Sequence, residues 1–337
     1  MIFPDKIDLD TIRLPQDPIF IVGCSRSGTT LLQALLMTQE NTYSLPETHF
    51  FSITSRSIST DRDGFLKSSC LPEVLKDVKM TMGVEFPPAA RGTLISLAEQ
   101  KCLNKKRLFE LIVFSFLYRQ IHKYDLQNIV LIEKTPSHFA AIEEIVELYP
   151  TARFIGIIRH PVAVITSRKK NIIQDENLTI KTLASQWNRM IFLSEKFQEN
   201  NQERIYLLKY ESLVQNVSQK MSELCSFLNI KYNPDLLEKY KDITDCIILP
   251  WETWKRNVSK EGILNTNEAT IKEARRFDVI RIQSVTKKYM KKYHYEILFP
   301  KLQKIWDMCF SVLGGYCRGM MRSRHLQPNG FGKGCNE

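Results

Sequence analysis

The stretch Pro18–Leu32, PIFIVGCSRSGTTLL, constrains the fold more than any other part of the chain. Ile19, Phe20, Ile21 and Val22 form a continuous apolar run, as a strand covered on both faces requires. Gly23 ends the run. Small and hydroxylated residues follow from Cys24 to Thr29, and then Thr30, Leu31, Leu32, Leu35 and Leu36 take up helical spacing. A strand, a glycine-bounded loop and a helix in that order predict an anion site. The loop N–H groups and the helix N-terminus face one spot, and together they favour negative charge there.

The loop departs from a nucleoside-triphosphate loop in one decisive residue. That motif reads G-x-x-x-x-G-K-[ST], its lysine reaching the β- and γ-phosphates. Here Gly23 and Gly28 have the right spacing, but Thr29 and Thr30 follow Gly28. A cation stands inside the loop instead, at Arg26. The site is therefore shaped for a phosphate-like anion smaller than a metal-bound triphosphate tail.

Further on, short apolar runs at Tyr43–Leu45, Ile129–Ile132, Arg153–Ile158 and Ile205–Leu208 read as strands. Helical patterns lie between them: Lys106–Tyr124, a helix capped by Ser137 and running to Leu148, one entered at Pro161, Leu178–Asn200 and Val214–Leu228. Strands alternating with helices predict an α/β fold, a central parallel sheet flanked by helices. Residues 52–104 read as an insertion with weak helical patterns near 72–79 and 93–102, a natural place for acceptor-binding loops. Ligands of such sheets lie beyond the carboxyl ends of the strands. Four polar groups fall there: Arg26, Glu47, Lys134 and Arg159. Residues 18–300 are expected to form a single α/β domain of P-loop-like nucleotide-binding type. Residues 1–17 would be a lead-in and 314–337 a loose basic tail.

The balance of 47 Lys and Arg against 37 Asp and Glu, +10 at pH 7, suits an anionic ligand. Eight cysteines in 337 residues, with no C-x-x-C, do not make a disulfide scaffold or a metal site. Cys24 is the exception to watch, because a helix N-terminus lowers a thiol pKa, although a small filler fits equally. The start of the chain does not resemble a signal peptide, and no apolar run reaches the about 20 residues that span a bilayer. A cytoplasmic protein without a transmembrane segment is expected.

RSGTTLL, residues 26–32, resembles the 5′-phosphosulfate loop of the sulfotransferase family, in the branch with arginine in the loop and glutamate as base. Those enzymes move a sulfuryl group from 3′-phosphoadenylyl sulfate (PAPS) to an acceptor. The resemblance continues through residues 133–136, 159–167 and 210–214. It implies PAPS as co-substrate, held by Arg26, Ser27, Gly28, Thr29 and Thr30 at the 5′ end. RHPVAVITS resembles the 3′-phosphate site and implies Arg159 and Ser167 there, with His160 where many members have Asp or Asn. Tyr210 in LLKYESLV resembles a tyrosine near the nucleotide. Trp254, Lys255, Arg256 and Asn257 resemble a segment that covers the 3′-phosphate in some members.

SLPETHF, residues 44–50, implies Glu47 as general base, with His49 as the rival. Sulfuryl transfer is an in-line displacement through a loose transition state, as for phosphoryl transfer, and a positioned carboxylate can take the acceptor's proton. Lys134 resembles the lysine that stabilises the leaving group. The implied acceptor carries a hydroxyl or amine, on a carbohydrate, a small molecule or a peptide. No metal and no nucleic acid is implied. Two alternatives remain: a P-loop kinase or nucleotide hydrolase, against which the missing lysine speaks, and a non-catalytic polyanion-binding protein using Lys287, Lys288, Lys291 and Lys292.

Overall fold

The computed structural model describes residues 13–83, 85–117, 127–171, 179–238, 240, 263 and 265–309. The lead-in up to residue 12, the segment 254–257 and the basic tail lie outside them.

Five strands, all parallel, form one sheet in the order β2-β3-β1-β4-β5: β1 (Ile19–Gly23), β2 (Thr42–Ser44), β3 (Val130–Lys134), β4 (Arg153–Ile158) and β5 (Ile205–Lys209). Every connection is therefore a crossover, as the alternating pattern predicted. The strand carrying the glycine loop sits in the middle, flanked by the strands that end in Lys134 and lead to Arg159. Strand β3 runs on beyond Ile132, where the apolar run stops, so Glu133 and Lys134 are ladder residues and not loop residues.

Alternation along β1 divides the interior. Phe20 and Val22 face a core with Leu131, Phe154 and the helices of residues 71–117. Ile19 and Ile21 face the other side, where α1 (Thr29–Leu36) and the helix Val217–Leu228 pack. Phe20 is fully buried and stacks on Phe154, with ring centroids 5.5 Å apart.

The insertion is more ordered than its composition suggests. It begins with a π-helix at Phe50–Thr54 and the short α2 (Ser55–Ser57). Two full helices follow, α3 (Leu71–Met82) and α4 (Pro88–Glu99). Next comes α5 (Lys105–Leu117), buried along nearly its whole length.

Two expected helices differ in detail. The one assigned to Ser137–Leu148 is a 3₁₀ segment, Pro136–Ala141, followed by α6 (Ile142–Leu148). Ser137 does not cap it, because its hydroxyl bonds Ser52 Oγ at 3.1 Å. The one assigned to Val214–Leu228 is two, α9 (Tyr210–Gln215) and α10 (Val217–Leu228), broken at Asn216 where ψ turns to 60°.

Helices α7 (Pro161–Asn171) and α8 (Ile180–Asn200) complete the crossover from β4 to β5. The C-terminal helices α11 (Asn267–Lys272) and α12 (Arg276–Lys292) pack against them.

Candidate active site

The loop after β1 is wound so that its backbone donors converge. Arg26 has φ 74° and Gly28 φ 99°, both in the left-handed region. Alternating hand turns successive N–H groups toward one side, the geometry of an anion nest. Gly28 has no alternative here: a Cβ on it would lie 2.5 Å from Tyr210 Cδ2. Gly28 is also the N-cap of α1, and no side chain caps that helix, so its first N–H groups point into the loop's concavity. Ser27 plays a different part from the one the resemblance implies. Its hydroxyl and its N–H both bond Cys24 O, at 2.6 and 3.1 Å, and so close the loop from inside. Cys24 itself is buried among Ile158, Val164 and Trp187, and burial pushes its thiol up to about 12. The helix terminus does not activate it, and the filler reading holds.

Arg159 comes off the end of β4 and meets this loop. Its Nη1 donates to Arg26 O at 3.1 Å. Its Nε and Nη2 donate to Asn267 Oδ1 at 2.6 Å and Thr266 Oγ1 at 2.9 Å. Its guanidinium carbon lies 4.3 Å from the centroid of the Tyr210 ring, and Trp187 Nε1 holds its carbonyl at 3.0 Å. Arg26 in turn donates from Nε to Ser167 Oγ at 3.0 Å. The two arginines, Ser167 and Tyr210 are thus one connected cluster. Its polar partners are neutral: among the described residues neither guanidinium has an ion pair with a carboxylate. Burial lowers the pKa of each, and Arg159 repels the charge on Arg26. A ligand bearing negative charge between them would relieve both costs.

His160 explains its own departure from Asp. Its Nδ1 accepts from Val162 N at 3.3 Å, the bond an Asp N-cap makes at the start of such a helix. Its N–H goes to Glu211 Oε1 at 3.0 Å. Glu211 also accepts from Asn267 Nδ2 at 2.7 Å and Tyr295 at 3.1 Å, which fixes α11 beside Arg159.

On the other side of β1, Lys134 Nζ donates to Glu47 Oε1 at 2.6 Å, and His49 Nε2 lies 3.5 Å from Glu47 Oε2. Lys134 is only 1% exposed, while Glu47 is 16% exposed and borders the opening. Gln33, on α1, donates to Ser44 Oγ and Leu45 O at 2.7 and 2.9 Å, which pins the end of β2 to the helix of the loop. Glu47 is close enough for its charge to oppose the lowering of the Arg26 pKa. Burial lowers the pKa of His49 more than Glu47 raises it, so the neutral imidazole is favoured.

Arg26, Glu47, Lys134, Arg159, Ser167 and Tyr210 therefore share one end of the sheet. Four residues that hold them were not legible as such. Thr266 and Asn267 follow a long sequence gap, and no local pattern marks them. Glu133 and His138 carried a faint signal, a charged residue prolonging an apolar strand with a histidine five positions on. The Glu133 and His138 side chains are both fully buried and paired at 2.9 Å. Elsewhere, Lys287 and Lys292 of the basic stretch on α12 pair with Asp307 and Glu195. A cavity of about 660 Å³ beside β5, lined by Glu195, Tyr206, Phe227 and Lys292, shares no residue with the site. Among the described residues, no group of three or more His, Cys, Asp or Glu could hold a metal ion, and no helix is long and apolar enough to cross a membrane.

The sequence and the fold match known proteins. A model of the sulfotransferase family covers residues 18–234, and the chain belongs to that family. The protein-tyrosine sulfotransferase of Drosophila melanogaster is 25% identical over 223 residues, 65% of this chain and 39% of that protein. The match thus spans about two-fifths of that relative's length. Among solved structures, the sulfotransferase domain from the curacin biosynthetic pathway superposes with a TM-score of 0.58 at 21% identity, over 84% of this chain and 99% of that one. The sulfotransferase domain of the Synechococcus PCC 7002 olefin synthase gives 0.52 at 20%, over 81% and 95%. At that identity these two structures speak for the fold.

Proposed function

We propose that the protein transfers a sulfuryl group from PAPS to a hydroxyl or amine of an acceptor, with Glu47 as general base. The observation that carries this reading is a contrast within one cleft. The guanidinium of Arg159, buried, and that of Arg26, half-buried, belong to one hydrogen-bonded cluster whose partners among the described residues are neutral. Next to them a cation, Lys134, is bonded to a carboxylate, Glu47. The first pair fits a nucleotide with two anionic ends. The second fits a reaction that must move a proton and stabilise a leaving oxygen.

In this reading the loop N–H groups of Gly28, Thr29 and Thr30 receive the 5′-phosphosulfate, with Arg26 on the sulfuryl oxygens. Arg159 and Ser167 take the 3′-phosphate. Glu47 Oε accepts the acceptor's proton as its oxygen bonds to sulfur. The bond from sulfur to the 5′-phosphate oxygen breaks, and Lys134 compensates the charge growing on that oxygen. The products are the sulfated acceptor and adenosine 3′,5′-bisphosphate. His49, neutral and 3.5 Å from Glu47, is placed to pass the proton on to solvent. No step calls for a metal, because the charge to be compensated is met by side chains. The likeness to a protein-tyrosine sulfotransferase makes a tyrosyl hydroxyl the first acceptor to try. The π-helix Phe50–Thr54 and the helices after it follow Glu47 in the chain and would line the acceptor's approach.

Calorimetric titration tests the reading. Adenosine 3′,5′-bisphosphate should bind without added metal, and Arg159→Ala should weaken it about 10- to 100-fold, the effect of losing a charged hydrogen-bonding partner. Tight binding and hydrolysis of ATP–Mg²⁺ with no response to the bisphosphate would overturn it in favour of a nucleotide hydrolase.

A further inference from the structure

We infer that Glu133 is a positioning residue for the base: together with Thr48, Thr135 and His138, it locks the turn that carries Glu47 and His49. The inference rests on the reading of Glu47 as base and adds residues to it that do not touch substrate.

Glu133, Thr48, Thr135 and His138 are all fully buried. An ionised carboxylate in such a place costs several kcal/mol unless its oxygens are satisfied, and here they are. Oε1 accepts from Thr48 Oγ1 at 2.9 Å and Thr135 Oγ1 at 2.6 Å. Oε2 accepts from Thr135 N at 3.2 Å and His138 Nδ1 at 2.9 Å. Burial pushes the carboxyl pKa up, but His138, Thr135 and Thr48 outweigh it and hold it below its ordinary value.

The same side chains take the backbone of the turn. Thr48 N and His49 N both donate to Thr135 Oγ1, at 3.0 and 3.3 Å. Phe50 N donates to Thr48 Oγ1 at 3.2 Å, and Phe51 N to His138 Nε2 at 3.2 Å. Four consecutive N–H groups are thus bound to side chains that all converge on one carboxylate. The turn needs such a clamp. His49 is held at φ 50°, and its carbonyl starts the π-helix by accepting from Thr54 N at 3.4 Å, besides Ile53 N at 2.8 Å. A non-glycine residue there is strained and persists only when its surroundings enforce it. Strand β3 therefore fixes the base twice, with Lys134 on the Glu47 carboxylate and Glu133 on the backbone that follows. A displacement of about 1 Å is enough to cost a reaction about a hundredfold.

The hydrogen bonds also assign the imidazole. Nε2 accepts from Phe51 N, so the proton is on Nδ1 and is donated to Glu133. In Glu133→Gln the new –NH₂ has no good place: at the Oε1 position it faces Thr135 Oγ1, which already accepts from Thr48 N and His49 N, and at the Oε2 position it faces the Thr135 N–H and the His138 Nδ1–H. His138 cannot relieve this by exchanging tautomers, since Nε2–H would then face the Phe51 N–H. One donor pair must separate, and the turn moves.

The test uses the full chain, PAPS and a tyrosyl peptide, followed as release of adenosine 3′,5′-bisphosphate, which reports transfer to the peptide and to water alike. Glu133→Gln and Thr48→Val should lower kcat about 10- to 100-fold, leave the Kd of adenosine 3′,5′-bisphosphate unchanged, and speed amide exchange at residues 48–51 but not in the loop of residues 24–30. Thr48→Ser, which keeps the hydroxyl, should restore most of the rate. Thr48→Val serves if Glu133→Gln does not fold. Glu47→Gln is the reference. If it abolishes turnover while Glu133→Gln and Thr48→Val keep normal kcat, or lose kcat and nucleotide affinity together, the positioning role is wrong. If Glu47→Gln itself turns over normally, the reading of the base has failed, and accelerated exchange in Thr48→Val alone would then mark a structural clamp without catalytic consequence, which also overturns the inference.

Discussion

The two halves of the cleft handle charge in opposite ways. On the β4 side, Arg26 and Arg159 are oriented by Ser167, Thr266, Asn267, a carbonyl and the Tyr210 ring, none of which cancels a cation. On the β3 side every buried charge has a counter-charge or a proton donor: Lys134 with Glu47, Glu133 with His138. The first half stores positive potential in a poorly solvated place and so awaits an anion. The second is close to neutral and rigid, which suits an uncharged acceptor whose proton must meet a carboxylate at a set position. If one sheet end provides both affinity for the donor and geometry for the transfer, as proposed, the two properties should be separable by mutation.

The largest separation is expected from Glu47→Ala. It should reduce turnover about 10²- to 10⁴-fold, the usual contribution of a general base, while calorimetry with adenosine 3′,5′-bisphosphate shows affinity largely retained. Equal loss of both would erase the distinction between the halves. Arg159→Ala is the converse, with a loss of nucleotide affinity of about 10- to 100-fold. Because the guanidiniums of the donor half are not neutralised, that affinity should also fall with rising salt, whereas the KM of an uncharged acceptor should not. Salt-insensitive nucleotide binding would show that the arginines are not what holds it.

Gly28→Ala should act on the donor half through its packing. The new methyl group meets Tyr210 Cδ2 at 2.5 Å with φ at 99°, so a loss of about 1–3 kcal/mol of stability is expected by thermal melting, together with weaker nucleotide binding, since Tyr210 underlies Arg159. Wild-type behaviour would mean that the ring moves freely.

The smallest effect concerns the base half and pH. The Glu133 carboxyl is held below its ordinary 4.5, so the folded state binds this proton less readily than the unfolded chain. Its contribution to stability is complete above pH 4.5 and is lost as pH falls through the lower folded value. Glu133→Gln should flatten that acid limb in denaturant titrations. An unchanged limb would place the titration elsewhere.

Much of the nucleotide half was readable in advance because it is local. A strand, two glycines, an arginine and a helix start occupy Ile19 to Leu36, and their mutual geometry follows from backbone rules. Arg159 and Ser167 were likewise tied to a strand end and the helix after it. One detail inside the motif was not readable: Ser27 turns inward. The base half was half visible. Glu47 and Lys134 stood at strand ends, but the clamp beneath them did not show, since Glu133 looked like a residue beyond its strand and nothing local tied His138 to it.

Alternation of apolar runs with helical spacing determined, from sequence alone, that this chain builds a parallel sheet with its chemistry at the carboxyl edge. Charge and loop composition pointed to that edge as a place for an anion. Only the tertiary structure decided which neutral groups aim the arginines and which buried carboxylate holds the turn of the base. The physical reason is range: backbone conformation follows from neighbours a few positions away. Arg159 and Asn267, or Thr48 and Glu133, become hydrogen-bond partners across 108 and 85 residues only once the strands are in register.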